Sequence, residues 1–282
     1  MVENRPWLTL LQHLVLICGV VIVVFPIWIA FVASTHEGRA LVAGVIPLLP
    51  GDQLVENYRT ILFSGMQGAG GASVGTMLLN SLIMALSIAT GKIVISLLSA
   101  FAVVYFRFPF RMLCFWIIFS TLMLPVEVRI LPTFEVVANL GMLNSYAGLS
   151  IPLIASATAT FLFRQFFLTV PDELTEAARM DGAGPFRFFV DILVPLSRTN
   201  IAAIFVIMFI YGWNQYLWPL LVTTEESFYT IVMGIQRMVT VADSYPRWHH
   251  AMAAAVMALL PPTLVVLIMQ RLFVKGLVET EK

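Results

Sequence analysis

Charge is scarce in this chain of 282 residues. Lys, Arg, Asp and Glu together make up 11% of it, against about a quarter of an ordinary soluble domain. That shortage excludes a water-solvated globule. The sixteen basic and sixteen acidic residues cancel, so no basic excess points to nucleic acid. Cysteine is nearly absent: Cys18 and Cys114 both lie inside apolar runs. That rules against a disulfide framework or a zinc site and predicts buried, inert thiols. His249 and His250 have no Cys, Asp or Glu at metal-ligand spacing. A nucleotide-binding loop is missing too. Gly65, Gly68, Gly70, Gly71 and Gly75 lack the G-x-G-x-x-G spacing, and Gly91-Lys92 is followed by Ile93 rather than Ser or Thr. The glycine cluster reads as a flexible connector.

What the chain does contain is apolar sequence: 60% of its residues are hydrophobic and its mean hydropathy is +0.92. The run from Leu14 to Ala33 carries no charge over twenty residues, enough for the roughly 30 Å hydrocarbon core of a bilayer. A cleaved signal peptide would have a shorter apolar region, and Ala30-Phe31-Val32-Ala33 lacks the A-x-A spacing. A retained helix is the better reading. Six spans are expected, at about 11–34, 77–106, 112–134, 144–168, 199–223 and 251–274. They define an all-α, polytopic membrane protein with one transmembrane domain over 1–282. Pro125 and Pro132 should break the third span and Pro261-Pro262 should kink the sixth.

Arginine and lysine set the expected orientation. With the N-terminus inside, cytoplasmic segments hold Arg5, Arg107, Arg111, Arg164, Arg179, Arg187, Arg198, Arg271, Lys275 and Lys282. External segments hold Arg39, Arg59, Arg129, Arg237 and Arg247. The bias favours both termini in the cytoplasm.

Residues 169–197 form a polar island between the fourth and fifth spans. Thr169 is suited to an N-cap, Pro171 to the first turn, and Asp172 and Glu173 to the positive end of the helix dipole. Leu174, Ala177 and Ala178 share one face, Arg179 lies in the last turn, and Gly182 is placed for a left-handed cap. Pro185 opens a second helix, with Phe186, Phe189, Val190 and Leu193 on one stripe, and Pro195 ends it. Amphipathicity alone leaves two readings open: a hairpin lying on the membrane surface, or a helix that docks on another protein.

Polar groups at membrane depth are few. Lys92 lies near the middle of the second span, where a charge costs at least about 2.5 kcal/mol. It either snorkels, pairs with a neighbouring helix, or serves a transport route. Glu127 and Arg129 follow Pro125 on a broken helix, and such helices line transport routes. Arg129 suits a phosphate through its planar fork, but an Arg129–Glu127 or Arg129–Glu135 pair is an equal alternative. Trp213, Asn214, Gln215, Tyr216 and Trp218 cluster at the outer end of the fifth span, as an interfacial aromatic belt or as a cavity wall. For the wall, Asn214 and Gln215 are favoured over Trp213. Ser156, Thr158 and Thr160 suit close helix packing.

Glu176-Ala177-Ala178, Asp181-Gly182-Ala183 and Pro195-Leu196 resemble the E-A-A-x-x-D-G-A pattern of the permease subunits of bacterial ABC importers, which occupies the same place between spans four and five. Asn80-Ser81-Leu82 and Trp213-Asn214 look like the carbohydrate-type branch. Leu124 to Arg129, Ala155 to Phe167 and Tyr211 to Pro219 are similar to its sn-glycerol-3-phosphate importers; loops 36–75 and 224–250 match least. The resemblance implies a multi-pass inner-membrane permease without covalent chemistry. Its partners would be a second homologous permease subunit, two copies of an ATPase subunit, a periplasmic substrate-binding protein and the lipid bilayer, with no nucleic acid. ATP and Mg would be held by the ATPase, so this chain would bind no cofactor. Glu176, Ala177, Ala178, Asp181, Gly182 and Ala183 would couple to that ATPase. The implied cargo is sn-glycerol-3-phosphate, with glycerophosphodiesters as further cargo. A sugar or another polyol, or an ion-coupled secondary transporter with Glu127 and Glu135 as its carboxylates, remain the alternatives.

Overall fold

The computed structural model describes residues 6–42, 48–65, 71–121, 126–240 and 247–279, with the backbone alone at 6, 40, 42, 126–127 and 271–279. Among these residues there are helices and no strand. The first four helices are α1 (Pro6–Ser34), α2 (Gly38–Val42), α3 (Leu54–Phe63) and α4 (Val74–Tyr105). Next come α5 (Arg111–Ser120), α6 (Val126–Asn139), α7 (Tyr146–Ser150), α8 (Ala157–Phe167) and α9 (Asp172–Met180). The chain continues through α10 (Pro185–Phe188), α11 (Val194–Leu196), α12 (Arg198–Trp213), α13 (Leu217–Val222), α14 (Ile231–Val239) and α15 (Trp248–Glu279).

Three helices are each long and apolar enough to cross a membrane: Trp7–Ser34, Val74–Tyr105 and Trp248–Gln270. Two bent pairs pass the same test together. Tyr146–Leu153 and Ala157–Phe167 meet at 48°, and Pro185–Leu196 and Arg198–Trp213 at 74°. The expected span 112–134 is divided instead, into α5 and α6, which are 10 and 14 residues long. Leu124 and Pro125 lie outside the described residues. The expected span 199–223 is also divided, because α12 stops at Trp213 and α13 begins at Leu217. In the sixth span, Pro261 and Pro262 sit inside one continuous helix.

The chain groups into two compact units, Met1–Thr76 with Gly234–Leu260, and Met77–Met233 with Pro261–Lys282. In the first unit, α1 leaves its apolar side chains exposed from Trp7 to Trp28. A helix apolar all round seeks lipid or another chain. Only its C-terminal end, Val32 to Thr35, is buried. There Asn57 of α3 donates from Nδ2 to the carbonyls of Ser34 (2.9 Å) and His36 (3.0 Å), satisfying groups that no further helical turn reaches.

The core of the second unit joins Met84 and Ile88 of α4, Ile130 and Val137 of α6, Leu149, Leu153, and Trp218 and Val222 of α13. Small residues let its helices approach closely. A Cβ on Gly212 would lie 3.0 Å from the Cα of Ala85, and one on Gly91 would lie 2.8 Å from Ile154. Asn80 and Ser81 fasten the segment after α13. Asn80 Nδ2 donates to the carbonyls of Ser227 (2.7 Å) and Tyr229 (3.0 Å), its Oδ1 accepts from the Tyr146 hydroxyl (2.8 Å), and Ser81 Oγ accepts from the Ile231 N–H (2.8 Å). The thiols of Cys18 and Cys114 are exposed, contrary to the buried pair expected. Both sit on helices that turn most of their apolar surface outward: α5 buries only Phe115.

Candidate functional site

The polar island folds as two helical pieces around Gly182. Thr169 does not cap α9. Its hydroxyl donates to the Phe166 carbonyl at 2.7 Å, closing the end of α8, and Pro171 takes the N-cap position with φ −60° and ψ 138°. Asp172 and Glu173 occupy the first turn of α9, where a negative charge complements the helix dipole. At the other end, the Ala183 N–H donates to the Ala178 carbonyl (2.9 Å) and the Gly182 N–H to the Arg179 carbonyl (3.0 Å). This paired closure requires a left-handed residue between its two bonds, and Gly182 supplies it with φ +72°.

Of the three residues expected on one face of α9, only Ala178 is buried; Leu174 and Ala177 are exposed. Glu176 and Asp181 are exposed as well. Past Gly184, Pro185 opens α10 as expected. The expected stripe is half realised, however. Phe188, Phe189 and Leu193 are buried, while Phe186 and Val190 point outward. Val190 lies in a π-helical turn at Phe189–Leu193, which inserts an extra residue and alters the register within that turn. Pro195 follows directly; it has no N–H to continue an α-helical ladder. The Ser197 hydroxyl donates to the Leu193 carbonyl at 2.6 Å and closes the piece. Around the hinge, Met180 is 84% exposed and Phe186 77% exposed.

The remaining expected residues lie elsewhere in the second unit. One cavity, of about 320 Å³, is lined by Lys92, Arg129, Thr133, Tyr211, Asn214, Gln215 and the indole of Trp218, among others. Lys92 is only 6% exposed, and its Nζ stands 3.8 Å from the centroid of the Tyr211 ring. A desolvated cation–π pair of this kind is worth about 2 kcal/mol, which offsets part of the cost of its depth. Among the described residues, neither Lys92 nor Arg129 makes an ion pair, so no Arg129–Glu135 bridge forms. The Glu127 side chain lies outside the described residues.

Asn214 caps the end of α12, where the helix breaks, and faces the cavity with Gln215. Gln215 donates from Nε2 to the Tyr211 carbonyl at 3.1 Å. Trp213 does not join them. It is 2% exposed and stacks on Phe209 at 5.9 Å within the core. Trp218 forms wall rather than ligand contact, its Nε1 donating to the Gly148 carbonyl at 3.1 Å. A second cavity, of about 580 Å³, takes Lys92, Ser99, Thr121, Arg129, Thr158 and Tyr211 among its lining. Ser156 caps α8 by accepting from the Ala159 N–H at 3.3 Å. Sequence reasoning missed Tyr211 as a site residue. Its signal was its place one turn before Gln215, on the same face of the helix.

The chain matches the model of the family described as "Binding-protein-dependent transport system inner membrane component" over residues 92–279. Proteins called "sn-glycerol-3-phosphate transport system permease protein UgpE" are similar to it over the full length of both chains, at 61% identity in Brucella melitensis, 59% in Agrobacterium fabrum and 58% in Escherichia coli. Among solved structures, a chain of a bacterial ABC transporter involved in the import of the acidic polysaccharide alginate superposes with a TM-score of 0.80. At 22% identity it covers 96% of this chain and 98% of its own.

Proposed function

The chain belongs to the family of binding-protein-dependent transport system inner membrane components, and from that premise we propose that it is the permease subunit of an ATP-driven importer of sn-glycerol-3-phosphate. The observation that carries the cargo is the cavity at the break between α12 and α13. It offers Lys92 and Arg129 without a carboxylate partner among the described residues, beside Asn214 and Gln215. Two cations suit a phosphate, Arg through its fork and Lys as a point charge. Carboxamides suit the hydroxyls of a polyol. The relatives that share 58–61% of the sequence carry the name of the same cargo.

The chain forms one permease domain with six crossings and both termini in the cytoplasm. It pairs with a second homologous permease, and each permease receives one copy of an ATPase subunit that holds ATP and Mg. A periplasmic binding protein delivers the solute. The hinge at Gly182 docks on the ATPase through α9 and the exposed side chains of Met180 and Phe186. ATP binding draws the ATPase copies together, the hinge transmits that displacement to α12, and the cavity changes the side to which it opens. Hydrolysis resets it.

The test is uptake by proteoliposomes holding the full complex and binding protein. Transport of sn-glycerol-3-phosphate should require enclosed or accessible ATP. Gly182→Pro cannot adopt a φ of +72° and loses the N–H that reaches Arg179; it and Glu176→Lys should abolish uptake while the subunit still inserts. Uptake driven by an ion gradient without ATP would refute the mechanism, and uptake indifferent to both substitutions would refute the coupling role.

A further inference from the structure

The two cavities of the second unit have four residues in common: Lys92, Arg129, Ala155 and Tyr211. The first opens onward to Asn214 and Gln215, the second to Ser99 and Thr121. Along α4 the order is Lys92 and then Ser99. Along α12 it is Met208, then Tyr211, then Asn214 at the cap. The shared residues therefore stand between two chambers stacked along the helix axes. We propose that they form an anion-selective waist, in which Lys92 rests on the Tyr211 ring while the chambers are empty and transfers to the anionic group of a passing solute. This deepens the permease reading and names what the site selects: a solute bearing a phosphate or carboxylate, not a neutral polyol.

Three observations carry the idea. Two cations stand where the two cavities share their lining, and among the described residues no carboxylate neutralises either. Rings of Lys or Arg are how pores favour anions. The face of Tyr211 is a weak partner for Lys92 at 3.8 Å, holding the ammonium through a quadrupole that an anion's full charge outcompetes. Lys92 also has the reach to move, since its stem is flexible where that of a fork-bound Arg is not. Tyr211 is thus a positioning residue, and Arg129 supplies the second charge.

The test does not depend on cargo. In the full complex carrying Cys18→Ser and Cys114→Ser, Ala155→Cys places a thiol at the waist. An anionic methanethiosulfonate should modify it about tenfold faster than a cationic one of similar size, after correction for their rates with a free thiol. Lys92→Met and Arg129→Gln should each reduce that preference, and together abolish it, whereas Lys92→Arg should keep it. Equal rates in the parent protein, or a preference that survives the double substitution, overturn the waist. In the same vesicles, Tyr211→Leu removes the partner that the anion must displace and should lower the KM for sn-glycerol-3-phosphate about threefold, while Tyr211→Phe leaves it unchanged. An unchanged KM in Tyr211→Leu overturns the positioning role. A complex that prefers the anionic reagent yet imports no sn-glycerol-3-phosphate refutes the cargo and supports the waist.

Discussion

Asn80 holds three groups at once. It serves two carbonyls and a hydroxyl that have α4 as their common anchor. Asn80→Ala would remove these three bonds, at about 1–3 kcal/mol for each group that is left dry. The thermal midpoint of the purified subunit in detergent should fall by several degrees, with uptake lost in proportion to folded protein. Gly182 is bound by backbone instead. Gly182→Ala forces a Cβ into the left-handed region at about 1–2 kcal/mol, with no steric obstacle around it. Binding-protein-stimulated ATP hydrolysis should weaken rather than vanish, in contrast to Gly182→Pro. Gly182 was legible because the left-handed need and the glycine coincide in sequence. Asn80 was visible only as part of a resemblance, since its partners at Ser227 and Tyr229 are nearly 150 positions away. Trp213 misled for a related reason: which side of a broken helix end faces a cavity is decided by neighbours such as Phe209, not by composition.

The helices themselves were legible wherever an apolar run was long. The ends of α1, α4 and α15 fall within a few residues of the expected spans, apart from the start of α1 and the tail of α15. What pattern reading could not reach was register. Of the expected stripe, Phe189 and Leu193 are buried, but Phe188 replaces Phe186 and Val190 turns outward at the π-helical turn Phe189–Leu193; a 3.6-residue template carries no provision for an inserted residue. Deleting Asp191 should restore α-helical register, turning Pro195 and everything beyond by about 100° relative to the hinge. The expected result is a subunit that inserts into membranes but supports no ATP-driven uptake. Arg187→Ala is the matched control. Its 3.3 Å pair with Asp191 is exposed on both sides, so stability should change by no more than about 0.5 kcal/mol.

Across the whole molecule, the arginine distribution predicts topology. A cytoplasm-active reporter fused at the C-terminus or after Phe110 should function, and a periplasm-active reporter after Glu225 should function; the reverse pattern would invert the orientation. The same scale explains why α1 looks unfinished. Among the described residues most of its apolar side chains have no cover, as suits a helix that faces lipid or another chain. The wall of the first cavity has a spectroscopic consequence. Four of the tryptophans, Trp7, Trp28, Trp116 and Trp248, stand exposed, whereas Trp218 is buried with its indole bound to Gly148 at the cavity's edge. The chamber therefore carries its own fluorophore. In a protein whose exposed tryptophans and Trp213 are replaced by phenylalanine, solute entering the chamber should shift Trp218 emission without any added label, turning occupancy of the permease into a signal that can be followed in real time.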